Sequence, residues 1–321
     1  MKLYFTNEDY YYKAMAILNS ECNASVTRKK AFYLLVHGLS FKDLDNLCGE
    51  ISRYFRVTKE DAYRLLQDGN EDVIDKALSL AYNLVNREEM LGTNVINNNI
   101  NTSSWISHSL NEARLCEILA RKINLDKDIA FNYGLLHDYG RKITHNFSHT
   151  IKGFEALVDM GLKESRACLT HSFINDGRFN NNELPDEKLE FAGNKEHFEN
   201  EYDDLSKLLR NVTYTDYDRI LNIADLMASD KGILSPIDRI YDILSRRGEL
   251  DKAPNRVYFL TSFYNTLLWY LNKINYKTDF EYLDFNKLTL DEIYKYLESI
   301  SKVFYDVVME RDYIYGNNIK L

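Results

Sequence analysis

The sequence predicts an all-α protein, and three observations carry that expectation. Only 3 prolines and 13 glycines punctuate 321 residues, too few for a turn-rich β fold. Apolar residues recur at helical spacing, as in the stripe Val73, Ala77, Leu80 and Leu84 within 70–86. No stretch alternates apolar and polar residues as a half-buried strand would, and no internal repeat stands out.

Four regions follow in order. Residues 1–91 read as short amphipathic helices of unknown role. Within them, 41–67 forms two helical stretches across a short turn, an echo of helix-turn-helix DNA binding. Its charge is mixed and lacks an Arg/Lys-rich face, so a helical packing or partner region is the better reading. Residues 92–104, GTNVINNNINTSS, form a polar, Asn-rich linker. Residues 105–250 hold the chemistry, and residues 251–321 return to helical patterning expected to pack on that core.

A formal net charge of −9 leaves no broad basic surface to track a polyanion, so long DNA or RNA is not expected as a partner. A small nucleotide stays open, because a bound cation supplies positive charge locally. The N-terminus lacks the apolar core of a secretory signal, and the most apolar late stretch, 259–271, is too short and polar to span a bilayer. Cys22, Cys48, Cys116 and Cys168 stand far apart with no CxxC pairing. Reduced thiols in a cytoplasm are the expectation, with no membrane partner.

Within 105–250 each element has a local reason. His108 begins one helix, with Leu115 and Leu119 on its inward side. Asp126 is placed to cap a second, which aligns Ala130, Gly134, His137 and Arg141. Gly134 is a poor helix former there, so it is expected to serve close packing one turn from His137. Asp138 is rotated about 100° from His137, and both reach an ion lying between their directions. Gly140 is read as the end of that helix. His149 opens a third helix after Ser148, with Gly153 at i+4 leaving room beside it, and His171 ends a fourth beside Ala167 and Cys168. Asp225 lies in a helix that starts with a capping-box pair, Thr215 and Asp218, and shares its stripe with Leu221, Ala224 and Ala228.

Taken singly, an inward His is most often a hydrogen-bonded core residue and a lone Asp a cap or a solvated acid. Here four of the seven histidines and two aspartates point inward together. Without an ion, six buried polar groups would go unsatisfied, and a shared metal accounts for them jointly.

The ordered series resembles the HD superfamily of metal-dependent phosphohydrolases, whose order is H…HD…H…H…D. WISHS (105–109), GLLHDYGR (134–141), HTIKGFEAL (149–157), CLTHSF (168–173) and DYDRILNIAD (216–225) carry the likeness, which covers about 100–250. It implies an HD-domain helical bundle with extra helices at both ends. It also implies that His108, His137, Asp138 and Asp225 are primary ligands. His149 and His171 match the histidines that complete a second metal in dinuclear members, and that handle substrate or act as acids in mononuclear ones. The cofactor is then divalent metal, expected as two ions of Mn, Fe, Co or Ni, with Mg also open.

The reaction implied is hydrolysis of a phosphate ester or anhydride in a small phosphorylated molecule, by water that the metal activates. A nucleotide substrate rests on family analogy alone. Asp138 and Arg141 take catalytic roles, and Arg141 stands where the family commonly has Lys, bringing a fork suited to phosphate. Lys142 and His145 lie close enough in sequence to meet substrate, although a surface role is the stronger reading for each; His37 and His197 fall outside the pattern. No GYP motif follows, despite a loose echo at His171 and Asp176-Gly177, and the Glu-Asp pair of alarmone hydrolases is absent. The rival is an HD-type metal- and nucleotide-binding regulatory module without turnover, its terminal helices engaging a protein partner or a second copy. A purely structural metal is disfavoured, since the cysteines do not pair up to close such a site.

Overall fold

A computed structural model describes residues 2–3, 5–37, 44–45, 48–49, 52, 56–67, 104–145, 148–176, 190–191, 205, 208–209, 212–230, 232–246 and 256–316. The apolar stripe at 70–86, most of the Asn-rich linker, His197 and the boundary near 250 lie outside them.

The all-α expectation holds. Helices α1 (Glu8–Leu18) and α2 (Arg28–Val36) are capped by Asn7 and Thr27, whose side chains accept from backbone N–H groups of the first turn. Helix α3 spans Lys59–Gln67, the second half of the stretch that echoed a helix-turn-helix. The long α4 (Ser104–Lys122) packs against α5 (Lys127–Leu136), which Asp126 caps by accepting from the N–H of Asp128 and Ile129. A 3₁₀ turn (Tyr139–Lys142) leads to α6 (His149–Asp159) and α7 (Ser165–Thr170). Then come α8 (Asp216–Asp225), α9 (Pro236–Arg246), α10 (Arg256–Lys273), a second 3₁₀ turn (Phe285–Lys287) and α11 (Leu290–Gly316). The capping box at the start of α8 is complete, with Thr215 and Asp218 each bonding the other's backbone N–H.

Two pairs of two-residue strands supplement the helices. Strand β1 (Lys2–Leu3) runs parallel to β2 (Glu190–Phe191), and β3 (Ala228–Ser229) runs antiparallel to β4 (Gly232–Ile233). Such short pairs leave no alternation for a sequence to reveal.

The core divides in two. One apolar cluster joins Phe5, Leu18, Phe32 and Leu35 from the N-terminal region to Phe131, Leu135, Phe154 and Leu169. The other joins Leu115 and Leu119 of α4 to Leu221, Phe263, Leu267, Leu297 and Phe304 of α8, α10 and α11. Each fully buried side chain of this size contributes roughly 1.5–3 kcal/mol. Helices α4 and α5 supply residues to both clusters, so they form the spine on which the site is built.

Polar bonds fasten residues 5–37 to α4, α5 and the start of α7. The Ser25 N–H donates to Glu164 at 2.8 Å, Arg28 donates to Glu117 at 2.8 Å, and Asn132 donates to the Val26 carbonyl at 2.7 Å.

Candidate metal centre

Helices α4 and α5 come so close at Gly134 that a Cβ there would lie 2.7 Å from the Ala113 Cα and 2.9 Å from the Glu112 carbonyl oxygen. Only glycine allows that approach, which sets His108 and Glu112, one turn apart on α4, against His137 at the end of α5. Glu112 Oε2 lies 3.0 Å from His137 Nε2 and 3.3 Å from His108 Nε2. His108 Nε2 is 3.1 Å from Asp225 Oδ1, at the last residue of α8.

Asp138 joins a second set of histidines. Its Oδ1 lies 2.9 Å from His149 Nε2 and 3.6 Å from His171 Nε2, while its Oδ2 is 3.6 Å from His137 Nε2. A second glycine contact makes this possible. Gly140 does not end a helix as its place suggested, because α5 stops at Leu136 and Gly140 sits in the 3₁₀ turn. A Cβ on Gly140 would lie 1.9 Å from the His149 carbonyl oxygen, and one on Gly153 would lie 2.8 Å from the Gly140 nitrogen. Glycine is needed here for the approach of α6, which carries His149 towards Asp138.

The backbone sets two tautomers. His137 Nδ1 is 2.7 Å from the Gly134 carbonyl oxygen, and His171 Nδ1 is 3.1 Å from that of Ala167. A carbonyl only accepts, so each Nδ1 carries a proton, and Nε2 is the nitrogen that each ring can turn to a cation. Asn222 holds the end of α7, donating to the Thr170 and His171 carbonyls at 2.8 and 2.9 Å.

Burial governs the electrostatics, since Glu112 and His137 are both 0 % exposed. Burial drives the Glu112 carboxyl well above its ordinary value, with His137 pulling the other way. Burial also disfavours charge on His137, but Glu112 and Asp138 outweigh it and hold its pKa well above the usual imidazole value. At Asp138 burial is overcome by His137 and His149, which keep the carboxyl well below its usual range. Burial and the neighbouring His137 push His171 down to about 3, so its ring is neutral at physiological pH.

The donor set fits a divalent cation. Both Glu112 oxygens, His137 Nε2 and Asp138 Oδ1 are buried without a hydrogen-bond partner, although Glu112 Oε2 and His137 Nε2 are only 3.0 Å apart. Buried carboxylates left this way cost several kcal/mol unless a counter-charge satisfies them. Candidate ligand atoms of His108, Glu112, His137 and Asp225 all lie within 4.8 Å of one another, as do those of His137, Asp138 and His171. Mixed imidazole and carboxylate donors suit borderline first-row cations.

All six histidines and aspartates expected as ligands converge here. Arg141 stands beside them, its Nε donating to Asp138 Oδ2 at 3.2 Å and its Nη1 to the His145 carbonyl at 2.8 Å. Lys142 is turned away from the cage: its ammonium donates to the carbonyls of Leu34 and His37, and burial lowers its pKa to about 7. The side chain of His145 is exposed, and only its backbone carbonyl engages Arg141. Glu112 was not anticipated. Its signal was its i+4 spacing from His108, on the inward side that also carries Leu115 and Leu119.

Residues 105–230 match the family model of the HD domain. The chain is also similar to a ribonuclease Y from a Nitratiruptor species, at 30% identity over 124 residues. That similarity covers 39% of this chain and 23% of the relative, so the chain spans about a quarter of that protein's length. No solved structure matches the chain. Among the described residues no helix is long and apolar enough to cross a membrane.

Proposed function

We propose that this protein is a metal-dependent phosphohydrolase acting on a phosphate ester or anhydride of a small molecule, with a nucleotide as the favoured class. The observation that carries the reading is the set of buried ligand atoms on Glu112, His137 and Asp138 that gather with those of His108, His171 and Asp225 in two adjoining groups. Its setting inside an HD domain supports hydrolysis of phosphate bonds. His108, His137, Asp138 and Asp225 hold the metal, and His149 and His171 complete a second position beside Asp138.

Bound there, a divalent ion supplies Lewis acidity, polarising a phosphoryl oxygen and lowering the pKa of water towards neutrality. The chain's own contribution is orientation. The carbonyls of Gly134 and Ala167 keep the Nε2 lone pairs of His137 and His171 turned inward. The neutral ring of His171 acts as a donor rather than as an acid. Arg141, held by Asp138 and by the His145 carbonyl, presents a guanidinium already oriented beside the cage, suited to a phosphate oxygen.

The net charge of −9 favours a small substrate over a long polyanion. The similarity to a ribonuclease Y makes short oligoribonucleotides part of any screen. The test uses full-length protein purified without chelator and loaded with Mn²⁺ or Fe²⁺. Phosphate-bond cleavage is followed with bis(p-nitrophenyl) phosphate, a nucleotide panel and short RNAs. Turnover is expected in the wild type, and Asp138→Ala is expected to lose it together with part of its bound metal. Retention of both by the variant would overturn the reading, and metal-dependent nucleotide binding without any turnover would replace it with a regulatory module.

A further inference from the structure

Glu112 stands outside the His/Asp series, yet it is the most enclosed carboxylate of the cage. It is 0 % exposed, neither of its oxygens has a hydrogen-bond partner, and Oε2 lies 3.0 Å from a His137 Nε2 that has none either. Oε2 also lies 3.3 Å from His108 Nε2, and the ligand atoms of His108, Glu112, His137 and Asp225 all fall within 4.8 Å of one another. Glu117, farther along the same helix and 2 % exposed, shows what a structural acid looks like here: Arg28 and Arg121 both donate to it.

We propose that Glu112 is itself a metal ligand. With His108, His137 and Asp225 it forms one four-donor position, and Asp138 stands between that position and an adjoining one beside His149 and His171. The proposal rests on the metal-centre reading above. His137 has a single lone pair to give, at Nε2, because its Nδ1–H is committed to the Gly134 carbonyl. It therefore serves one ion, and Glu112, at 3.0 Å, draws it to the side of His108. Two carboxylates and two imidazole nitrogens form a donor set for a divalent ion before Asp138 is counted. The first position is then the tighter of the two, and Glu112 sets its affinity.

The experiment compares wild type, Glu112→Gln and Glu112→Leu, each stripped with chelator and dialysed. Co²⁺ is titrated by calorimetry and by its visible absorption, and thermal unfolding is recorded with and without Co²⁺. In Glu112→Gln the tightest binding step is expected to weaken by on the order of 10–100-fold, with an altered Co²⁺ spectrum. Glu112→Leu is expected to melt, without metal, at or above the wild-type temperature, because an uncompensated buried carboxylate has been replaced by an apolar group of similar size. Its metal-induced stabilisation is expected to shrink. Wild-type affinity and spectrum in Glu112→Gln would overturn the proposal while leaving the metal centre standing. So would a fall in metal-free stability in both variants with binding unchanged, which would make Glu112 a structural partner of His137. A wild type that binds no Co²⁺ would overturn this proposal and the functional reading together.

Discussion

Arg166 and Asp218 are as deeply buried as Glu112 and His137, at 1 % or less exposure in every case, but the two pairs are built differently. Arg166 donates to both Asp218 oxygens, from Nε at 2.8 Å and from Nη2 at 2.7 Å, and its Nη1 donates to the Leu18 carbonyl at 2.7 Å. Asp218 Oδ2 also accepts from the N–H and the hydroxyl of Thr215, each at 2.7 Å. Glu112 and His137 lie 3.0 Å apart with their facing atoms unbonded. Charge buried for the fold is thus met by the chain itself. Charge buried for chemistry is left for something the chain does not contain.

The sharpest way to break this contrast is Arg166→Ala, which leaves Asp218 buried and unpaired. A loss of about 3–5 kcal/mol is expected in urea denaturation, with metal uptake per folded molecule unchanged. A loss below about 1 kcal/mol would mean that the pair is not structural. Gly140→Ala tests the contact that brings His149 to Asp138. The added methyl would lie 1.9 Å from the His149 carbonyl oxygen, so a destabilisation of about 1–3 kcal/mol and weaker binding at the Asp138 position are expected. Unaltered stability would show that α6 yields without cost.

The smallest effect concerns Lys142, whose pKa burial lowers to about 7 from an ordinary value of 10.5. Between those values the unfolded chain keeps a proton that the folded protein has released. Stability should therefore rise with pH from about 7 to about 10.5, by at most about 1.4 kcal/mol per unit. The Leu34 and His37 carbonyls favour the ammonium and so narrow that window, which keeps the total effect small. Lys142→Met should flatten the dependence of stability on pH, read from denaturation curves taken across this range, and an unchanged dependence would place the titration elsewhere.

What could be read beforehand was what local chemistry dictates. The caps at Asp126 and Thr215, the all-α class and the inward His/Asp series each depend on spacing within one helix. Gly134 was legible for the same reason, since a glycine one turn from His137 needs a packing partner. Gly140 was misread as a helix end because its partner, Gly153, lies on another element. Glu112 was passed over because a glutamate in a helix ordinarily faces water, and only its spacing from His108 hinted otherwise. The docking of Lys142 onto the end of α2 joins a side chain to backbone carbonyls more than a hundred residues away, and no motif encodes that.

The donors are scattered along the chain, from His108 on α4 to Asp225 at the end of α8. A growing polypeptide therefore presents His108, His137 and Asp138 to its surroundings long before the set can close. An ion held by the whole set would engage it only once these helices have assembled, and would then clasp together two ends of a long loop. Which metal the protein carries would then depend on the supply where folding finishes, and losing it would require the clasped helices to part.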